Sequence, residues 1–184
     1  GNSKSKLNVT RKWDGAPALF TGINPENGKF FVATKSLFNK TPKINYTNAD
    51  IDANHSGGLA EKLKVALANL KDLGITGVLQ GDMLYTKGDL SAQTIDGESM
   101  VTFTPNTITY AVPAGSDLAG KINSSQMGIV FHTTYNGDTI ENLKASFGAD
   151  VSGLRKTNKV WYQDASYKDV SGRATLTSNE EARV

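Results

Sequence analysis

The residues best suited to covalent chemistry form the tetrapeptide Lys12-Trp13-Asp14-Gly15. A lysine amine becomes a nucleophile when its pKa is lowered or a base removes its proton. The carboxylate of Asp14 is close enough in sequence to position that amine or its ligand. Gly15 has no side chain, so a ligand can approach the backbone closely there. The tetrapeptide therefore indicates a site of nucleophilic attack at Lys12.

A second reactive group, Asp82, interrupts an otherwise apolar run at residues 76–85, TGVLQGDMLY. The spacing of this run predicts a buried strand. Burying an unpaired carboxylate is energetically expensive, so a strand that carries one normally directs it at a cation, a donor or a cavity. Asp82 is therefore predicted to be a functional acid.

Three predicted strands lie around Lys12 in the sequence, one before it and two after it. Side chains in residues 7–12 alternate in character with a period of two, which predicts a half-buried strand ending at Lys12. Residues 16–23 and 29–35 follow as two further strands. The intervening residues 24–28 contain a proline and an Asn-Gly pair, which are typical of the turn in a hairpin.

The remaining elements are predicted from the same patterns. Leucines recur on one face of residues 57–73, with Ser56 as the cap and Gly74 as the stop, and predict a helix that covers a sheet. Strands are predicted at 76–85, 100–104, 107–112, 126–135 and 159–162, and further helices at 115–122, capped by Ser116, and at 138–148. The polar stretches 37–56 and 86–99 are predicted to be irregular loops. The expected fold class is α+β, with mostly antiparallel sheets and flanking helices.

Composition limits the function classes. The 184 residues suit one domain, and the absence of cysteine fits a reducing compartment and excludes disulfides and thiolate metal sites. A net charge of +2 is too small to hold a nucleic acid by global electrostatics, so contact with a polynucleotide would need a local basic patch. No apolar run is long enough to predict a membrane span. A cytoplasmic location is expected.

Short motifs follow one another in an order that resembles a known superfamily. After K-x-D-G at Lys12 come Thr34-Lys35-Ser36 at a strand end, the Gly-acid pair at Asp82, Gly128-Ile129-Val130, and Lys159 at the start of a strand. This succession resembles the covalent nucleotidyltransferases, which include ATP-dependent DNA ligases, RNA ligases and mRNA-capping guanylyltransferases. The segments GAPALFTG, LQGDMLY and GIVFHTTY are most similar to ligase-like proteins of tailed phages.

The resemblance implies an enzyme, in which Lys12 attacks the α-phosphate of ATP and holds AMP as a phosphoramidate. It also implies Mg²⁺ or Mn²⁺ as cofactor, with Asp82 as the metal ligand. The implied nucleotide-binding residues are Asp14, Gly15, Thr34, Lys35, Gly128, Lys159 and an aromatic ring, either Phe103 or Tyr110, of which Tyr110 is the preferred candidate. The AMP would pass to a 5′-phosphate at a DNA or RNA end.

The resemblance further implies a nucleotidyltransferase domain (ATP-grasp-like ligase adenylation) across residues 1–184, with the nucleotide between the sheets. No oligonucleotide-binding barrel follows, so the domain is expected to be reduced or incomplete at its C-terminal end. A monomer in the host cytoplasm, without membrane contact, is expected if the protein is phage-encoded.

One position departs from the superfamily pattern. Met127 stands where the fourth motif has an acid, and a metal or water ligand is lost unless another residue such as His132 replaces it. The alternative interpretation of His132 is a hydrogen-bonded, partly buried histidine. Two other functions therefore remain open: a capping-type guanylyltransferase, and a catalytically inactive phage protein that retains the fold.

Overall fold

The computed structural model describes residues 16–165 and the backbone of a strand at 175–178. This part of the chain has an α+β fold with two largely antiparallel sheets. The strands in chain order are β1 (Ala18–Ile23), β2 (Phe30–Ala33), β3 (Val78–Thr86), β4 (Ser91–Ile95), β5 (Glu98–Phe103), β6 (Ile108–Pro113), β7 (Met127–Asn136), β8 (Lys144–Phe147), β9 (Val160–Asp164) and β10 (Thr175–Ser178). The helices are α1 (Asn48–Asn54), α2 (Gly57–Leu70) and α3 (Asp117–Ser124).

The larger sheet has six strands in the order β2-β1-β3-β7-β8, with β9 also beside β7. Strand β7 is long enough to pair with β9 along its first half and with β8 along its second half. The β7–β9 pair is parallel, whereas the other pairs in this sheet are antiparallel. The smaller sheet has the order β10-β6-β5-β4 and is antiparallel throughout.

The predicted first hairpin is confirmed. Its turn closes with a hydrogen bond of 2.8 Å from the Gly28 N–H to the Asn24 carbonyl, and Gly28 has a φ of 72°. A left-handed φ of this kind favours glycine, which explains the Asn-Gly pair at this point. The strand predicted at 7–12 lies outside the described residues.

The predicted helix at 57–73 is also confirmed, as α2 followed by a 3-10 turn at Lys71–Leu73 that ends at Gly74 with a φ of 77°. Ser56 occupies the N-cap position but its side chain makes no capping hydrogen bond. The buried stripe of α2 packs on one face of the larger sheet, against residues that include Leu79, Met83 and Ile129. Each fully buried leucine of this stripe contributes about 1.5–3 kcal/mol to stability.

The opposite face of the larger sheet is covered in two parts. Over one part lie the smaller sheet and α3, which begins where the Ser116 hydroxyl accepts a hydrogen bond of 3.1 Å from the Ala119 N–H, as predicted. Over the other part lie residues 37–46 and 140–143. Both coverings contact β3 and β7. The side chains of these two strands that lie between the coverings are therefore enclosed.

Two short elements lie in stretches that were predicted to be irregular. Helix α1 forms within the stretch 37–56 that was expected to be irregular. A capping box starts it: the Thr47 hydroxyl accepts from the Asp50 N–H, and the Asp50 carboxylate accepts from the Thr47 N–H. Strand β4 lies within the expected loop 86–99 and pairs with β5. Both elements are short and largely polar, so their sequences carry little periodic signal.

The prediction of a helix at 138–148 is wrong. The chain there makes a turn, in which the Asn142 N–H donates to the Thr139 carbonyl at 3.1 Å, and then continues as β8. Strand β8 forms because the second half of β7 offers it an unpaired edge, which is a tertiary contact and not a local preference. Among the described helices, none is both long and apolar enough to cross a membrane.

Candidate functional site

Asp82 lies in the middle of β3 and is 1% exposed. Its Oδ1 atom is 3.3 Å from His132 Nε2, whereas its Oδ2 atom has no hydrogen-bond partner within the described part of the chain. A buried carboxylate oxygen without a partner is rare in folded proteins and energetically unfavourable. Asp82 is therefore the residue whose local chemistry most needs an additional ligand.

His132 reaches Asp82 because of a β-bulge in β7. The β3–β7 register passes from Gln80 opposite Thr133 to Gly81 opposite Phe131, so His132 has no counterpart on β3. The extra residue bends the strand and redirects the side chains near it. As a result, the Nδ1 atom of His132 lies 2.7 Å from the Thr133 hydroxyl and its Nε2 atom faces Asp82.

Two further polar groups extend this arrangement along the same face. Gln80 precedes Asp82 by two residues and shares its side of β3. The Tyr135 hydroxyl donates a 3.0 Å hydrogen bond to Gln80 Oε1, and burial raises the pKa of Tyr135, so the phenol remains protonated at neutral pH. We refer to Gln80, Asp82, His132 and Tyr135 as the polar seam, because they lie between the two apolar coverings of this face.

Aromatic rings adjoin the polar seam at Tyr135. The ring of Phe38 lies 5.5 Å from that of Tyr135 and 5.1 Å from that of Phe20, with a T-shaped geometry in the second case. Phe38 is nevertheless 45% exposed. The sequence analysis missed Gln80, Phe38 and Tyr135; the nearest available signal for Phe38 was its position just after Thr34-Lys35-Ser36.

The register brings several predicted regions of the larger sheet to the level of Asp82. The Met83 N–H donates a 2.9 Å hydrogen bond to the Pro17 carbonyl, so the chain enters β1 beside Asp82. The predicted residues Lys12, Asp14 and Gly15 precede this entry and lie outside the described residues.

The chain leaves β2 at the same level. Phe20 of β1 pairs with both Ala33 and Gln80, so Thr34 and Lys35 follow β2 at the level of Gly81 and Asp82, two strands away. The Thr34 side chain caps the 3-10 turn at Lys35–Phe38 by accepting from the Ser36 N–H, and Lys35 is exposed. The turn thus begins with an exposed lysine at the level of Asp82 along the sheet.

Met127 and Gly128, from the fourth motif, have clear packing roles. Met127 is fully buried under α2, in the core on the face opposite Asp82, so an acid at this position would not join Asp82. Gly128 lies under the ring of Tyr85, where an added Cβ would be 2.2 Å from Tyr85 Cε2. The nucleotide contact predicted for Gly128 stays a prediction.

Tyr110 and Lys159 lie on other strands than the polar seam. Tyr110 is 6% exposed on β6 of the smaller sheet, and its ring stacks on that of Phe103 at 5.6 Å. Lys159 is exposed at the start of β9, where its carbonyl accepts a 2.7 Å hydrogen bond from the Gln126 N–H. This position is level with the end of β3, several residues beyond Asp82.

A groove of about 1200 Å³ runs between α3 and residues 151–163. Hydroxyl and amide side chains line much of it, together with Lys121, Lys156 and Trp161. Both lysines are exposed. Asp117 also lines the groove and partly offsets their charge. The groove is therefore a local basic patch of modest strength.

The family model that matches this chain covers residues 1–184 and is described as a family of unknown function, DUF6267. The chain belongs to DUF6267. No curated protein and no solved structure matches it. Membership in DUF6267 assigns no chemistry, so a function for this DUF6267 chain must be argued from the polar seam and the motifs around it.

Proposed function

We propose that this DUF6267 chain is an ATP-dependent, ligase-like polynucleotide adenylyltransferase that forms a lysyl-AMP intermediate at Lys12. The observation that carries the proposal is the buried carboxylate of Asp82, whose Oδ2 atom has no partner in the described residues. A carboxylate in this condition is suited to hold a divalent cation beside a triphosphate.

The position of the motifs in the sheet supports the same conclusion. The segment that contains Lys12 leads directly into β1, and the Pro17 carbonyl is bonded to Met83, the residue after Asp82. Three residues separate Lys12 from Ala16, and the four steps from one Cα atom to the next can span at most about 14 Å. The amine therefore has the reach to act at the level of Asp82 and Lys35 in the sheet.

Attack by Lys12 requires a neutral amine. An ordinary lysine has a pKa near 10.4, so only about one in two thousand is deprotonated at neutral pH. A neighbouring cation disfavours the ammonium form, and Lys35 is the described cation that follows β2 at this level. In the first step the Lys12 nitrogen would bond to the α-phosphorus of ATP and pyrophosphate would leave.

The residues present fit a divalent cation. No three His, Cys, Asp or Glu side chains cluster anywhere in residues 16–165, so the cation would take its other ligands from the nucleotide phosphates and water. When bound, the cation would neutralise charge on the phosphate oxygens and orient the leaving group. Asp82 would hold it.

The exposed aromatic rings offer a place for the purine. Phe38 follows the Thr34-Lys35-Ser36 motif, and its ring is supported by Phe20 and Tyr135. Stacking on a base requires only an accessible π face, and Phe38 at 45% exposure has one. Phe38 is therefore a stronger candidate for the base contact than Tyr110, which is 6% exposed.

In the second step the AMP would pass from Lys12 to the 5′-phosphate of a DNA or RNA end. The phosphoramidate bond would break and a 5′–5′ pyrophosphate linkage would form. A 3′-hydroxyl would then attack the activated phosphate and release AMP. The basic groove near Lys121 and Lys156 is the described surface on which a phosphate backbone finds cations.

The deciding experiment is labelling of the full chain with α-labelled ATP in Mg²⁺ or Mn²⁺. We expect an acid-labile adduct that is lost in Lys12→Ala and in Lys12→Arg, because neither side chain supplies a neutral amine. Lys40→Ala is the matched control for loss of an exposed lysine. Labelling with GTP in place of ATP would support a capping-type guanylyltransferase instead. If neither nucleotide labels Lys12, the proposed chemistry is overturned in favour of an inactive protein that keeps the fold.

A further inference from the structure

The pairing of Asp82 with His132 carries an inference about the identity of the cation. His132 is one of two histidines in the chain, and it is the one that contacts the buried acid. Direct hydrogen bonding between the two side chains satisfies Asp82 Oδ1 but leaves Oδ2 without a partner. A single cation bound by the imidazole nitrogen and by both carboxylate oxygens would give Oδ2 the partner that it lacks.

The geometry agrees with two ligands of one metal. Ligand atoms that each stand about 2.1 Å from a cation and occupy neighbouring positions are about 3.0 to 3.4 Å apart. The distance from His132 Nε2 to Asp82 Oδ1 is 3.3 Å. The side chain of His132 is 23% exposed and that of Asp82 is 1% exposed, so the pair joins a partly exposed imidazole to a carboxylate anchored in the sheet.

A neighbouring group orients the histidine as a ligand. The Thr133 hydroxyl lies 2.7 Å from His132 Nδ1 and fixes the ring. Metal-binding histidines commonly make such a second hydrogen bond through the nitrogen that does not bind the metal. The bulge that places His132 and Thr133 next to each other thus produces a nitrogen ligand with its support.

We propose that Asp82 and His132 together form a nitrogen–oxygen site that binds a first-row transition cation, Mn²⁺ or Zn²⁺, in preference to Mg²⁺. Imidazole is a poor ligand for Mg²⁺, which favours oxygen, and a good one for transition metals. The inference rests on the proposed function because it uses the same acid. It adds that His132 supplies a nitrogen ligand beside Asp82, which position 127 on the opposite face could not supply, and that this ligand changes the metal preference.

The first test measures metal binding to the full chain without nucleotide, by titration calorimetry and by the electron paramagnetic resonance signal of free Mn²⁺. We expect one Mn²⁺ or Zn²⁺ per chain, bound at least about tenfold more tightly than Mg²⁺. His132→Gln should weaken Mn²⁺ binding by about tenfold or more, and Thr133→Val should weaken it less. His55→Gln, which changes the other histidine, should leave binding unchanged.

A substitution that exchanges the ligand type tests the preference itself. His132→Asp replaces nitrogen with oxygen, so Mg²⁺ should gain and the ratio of Mn²⁺ to Mg²⁺ affinity should fall by about tenfold. In the wild-type chain, Co²⁺ should shift the imidazole resonances of His132 and leave those of His55 in place, a readout that needs no variant. Equal affinities for Mn²⁺ and Mg²⁺, or shifts at neither histidine, would overturn the inference.

These outcomes are distinguishable from failure of the proposed function. Metal binding that depends on His132 but is accompanied by no adduct at Lys12 would retain the site and remove the adenylyltransferase. An adduct at Lys12 together with metal binding that is insensitive to His132→Gln would do the reverse. A metal-free chain in which Asp82 and His132 make only an ion pair would show neither the shifts nor the preference.

Discussion

At the scale of single residues, Asp82 combines two properties that conflict in a purely structural role. It is buried in the centre of a sheet, and one of its oxygens has no partner among the described residues. Replacing an incompletely partnered buried carboxylate with a neutral group removes the cost of burying its charge. An acid that carries this cost in the folded chain is a candidate for function.

Asp82→Asn should therefore separate stability from activity. The amide keeps an acceptor for His132 and removes the charge, so we expect the free energy of unfolding to rise by about 1 kcal/mol. Nucleotide labelling at Lys12 should be lost, because the amide does not hold a cation. Urea unfolding and the labelling assay, performed on the same preparation, measure both effects.

Asp52→Asn is the matched control, since Asp52 is an exposed acid on α1 that contacts Lys64. This change should alter stability by less than about 1 kcal/mol and leave labelling intact. Asp82→Asn that destabilises the protein strongly and still becomes labelled would show that the acid has a structural role alone.

At the scale of elements, the β3–β7 pair determines the site. Two irregularities interrupt its register, one at Gln80/Gly81 and one at Met83/Tyr85. The first directs His132 to Asp82. Near the second, Gly128 lies beneath the ring of Tyr85, whose hydroxyl is 2.7 Å from the Ser125 hydroxyl. The pair is therefore tightly packed as well as irregular.

Gly128→Ala should destabilise the fold, because the new Cβ would overlap the Tyr85 ring. The backbone of Gly128 cannot move away easily, since it is paired with β3 on one side and with β9 on the other. We expect a loss of about 1–3 kcal/mol in the free energy of unfolding. Gly120→Ala is the matched control, since no atom lies within 4 Å of the added Cβ and the residue is inside α3. There alanine should stabilise by up to about 1 kcal/mol. Denaturant unfolding of both variants tests whether the two changes have opposite signs.

The carboxyl end of α1 gives a pH dependence. Burial and, to a lesser extent, the positive charge of Lys43 lower the pKa of His55 from its usual 6.5. The Asn45 amide nitrogen lies 3.2 Å from His55 Nε2, an arrangement that suits a neutral imidazole as acceptor. Because the pKa is lower in the folded chain, the unfolded chain takes up the proton first as the pH falls. The contribution of His55 is therefore complete above about pH 6.5 and is lost below it.

Melting temperatures of the wild type and His55→Gln, recorded between about pH 8 and pH 5, test this contribution. The wild type should lose more stability than the variant as the pH falls below 6.5. Parallel curves would show that His55 does not contribute.

At the scale of the whole molecule, the net charge is weak and the positive charge that could meet a phosphate backbone is local. The chain has a net charge of +2, which does not attract a polynucleotide from a distance. The groove between α3 and residues 151–163 brings Lys121 and Lys156 to one surface. If the chain acts on nucleic acid as proposed, the contact should depend on this surface and should be sensitive to salt.

The double variant Lys121→Ala, Lys156→Ala should reduce transfer of AMP to a 5′-phosphorylated oligonucleotide while leaving the adduct at Lys12 unchanged. The salt dependence of oligonucleotide binding should decrease by about one unit of slope for each lysine that contacts a phosphate. A double variant at the exposed Lys71 and Lys144 controls for net charge. If both double variants behave alike, the groove is not the binding surface.

The sequence by itself determined the elements whose signals are local. The Asn-Gly turn predicts the first hairpin because only a few residue types accept a left-handed backbone, and the leucine period predicts α2 because one face must be buried. It also singled out Asp82, since an acid in an apolar strand is chemically conspicuous. Polar elements such as α1 and β4 were missed because they carry no such period.

Only the tertiary structure decided which side chains meet Asp82. The approach of His132 depends on a one-residue bulge, and a shift of one residue in a strand moves a side chain to the other face. That shift is set by pairing between strands about fifty residues apart in sequence, which no local pattern encodes. Pairing with β7 also makes residues 144–147 a strand where a helix was predicted. Met127 of β7 faces the core, where it cannot serve the site.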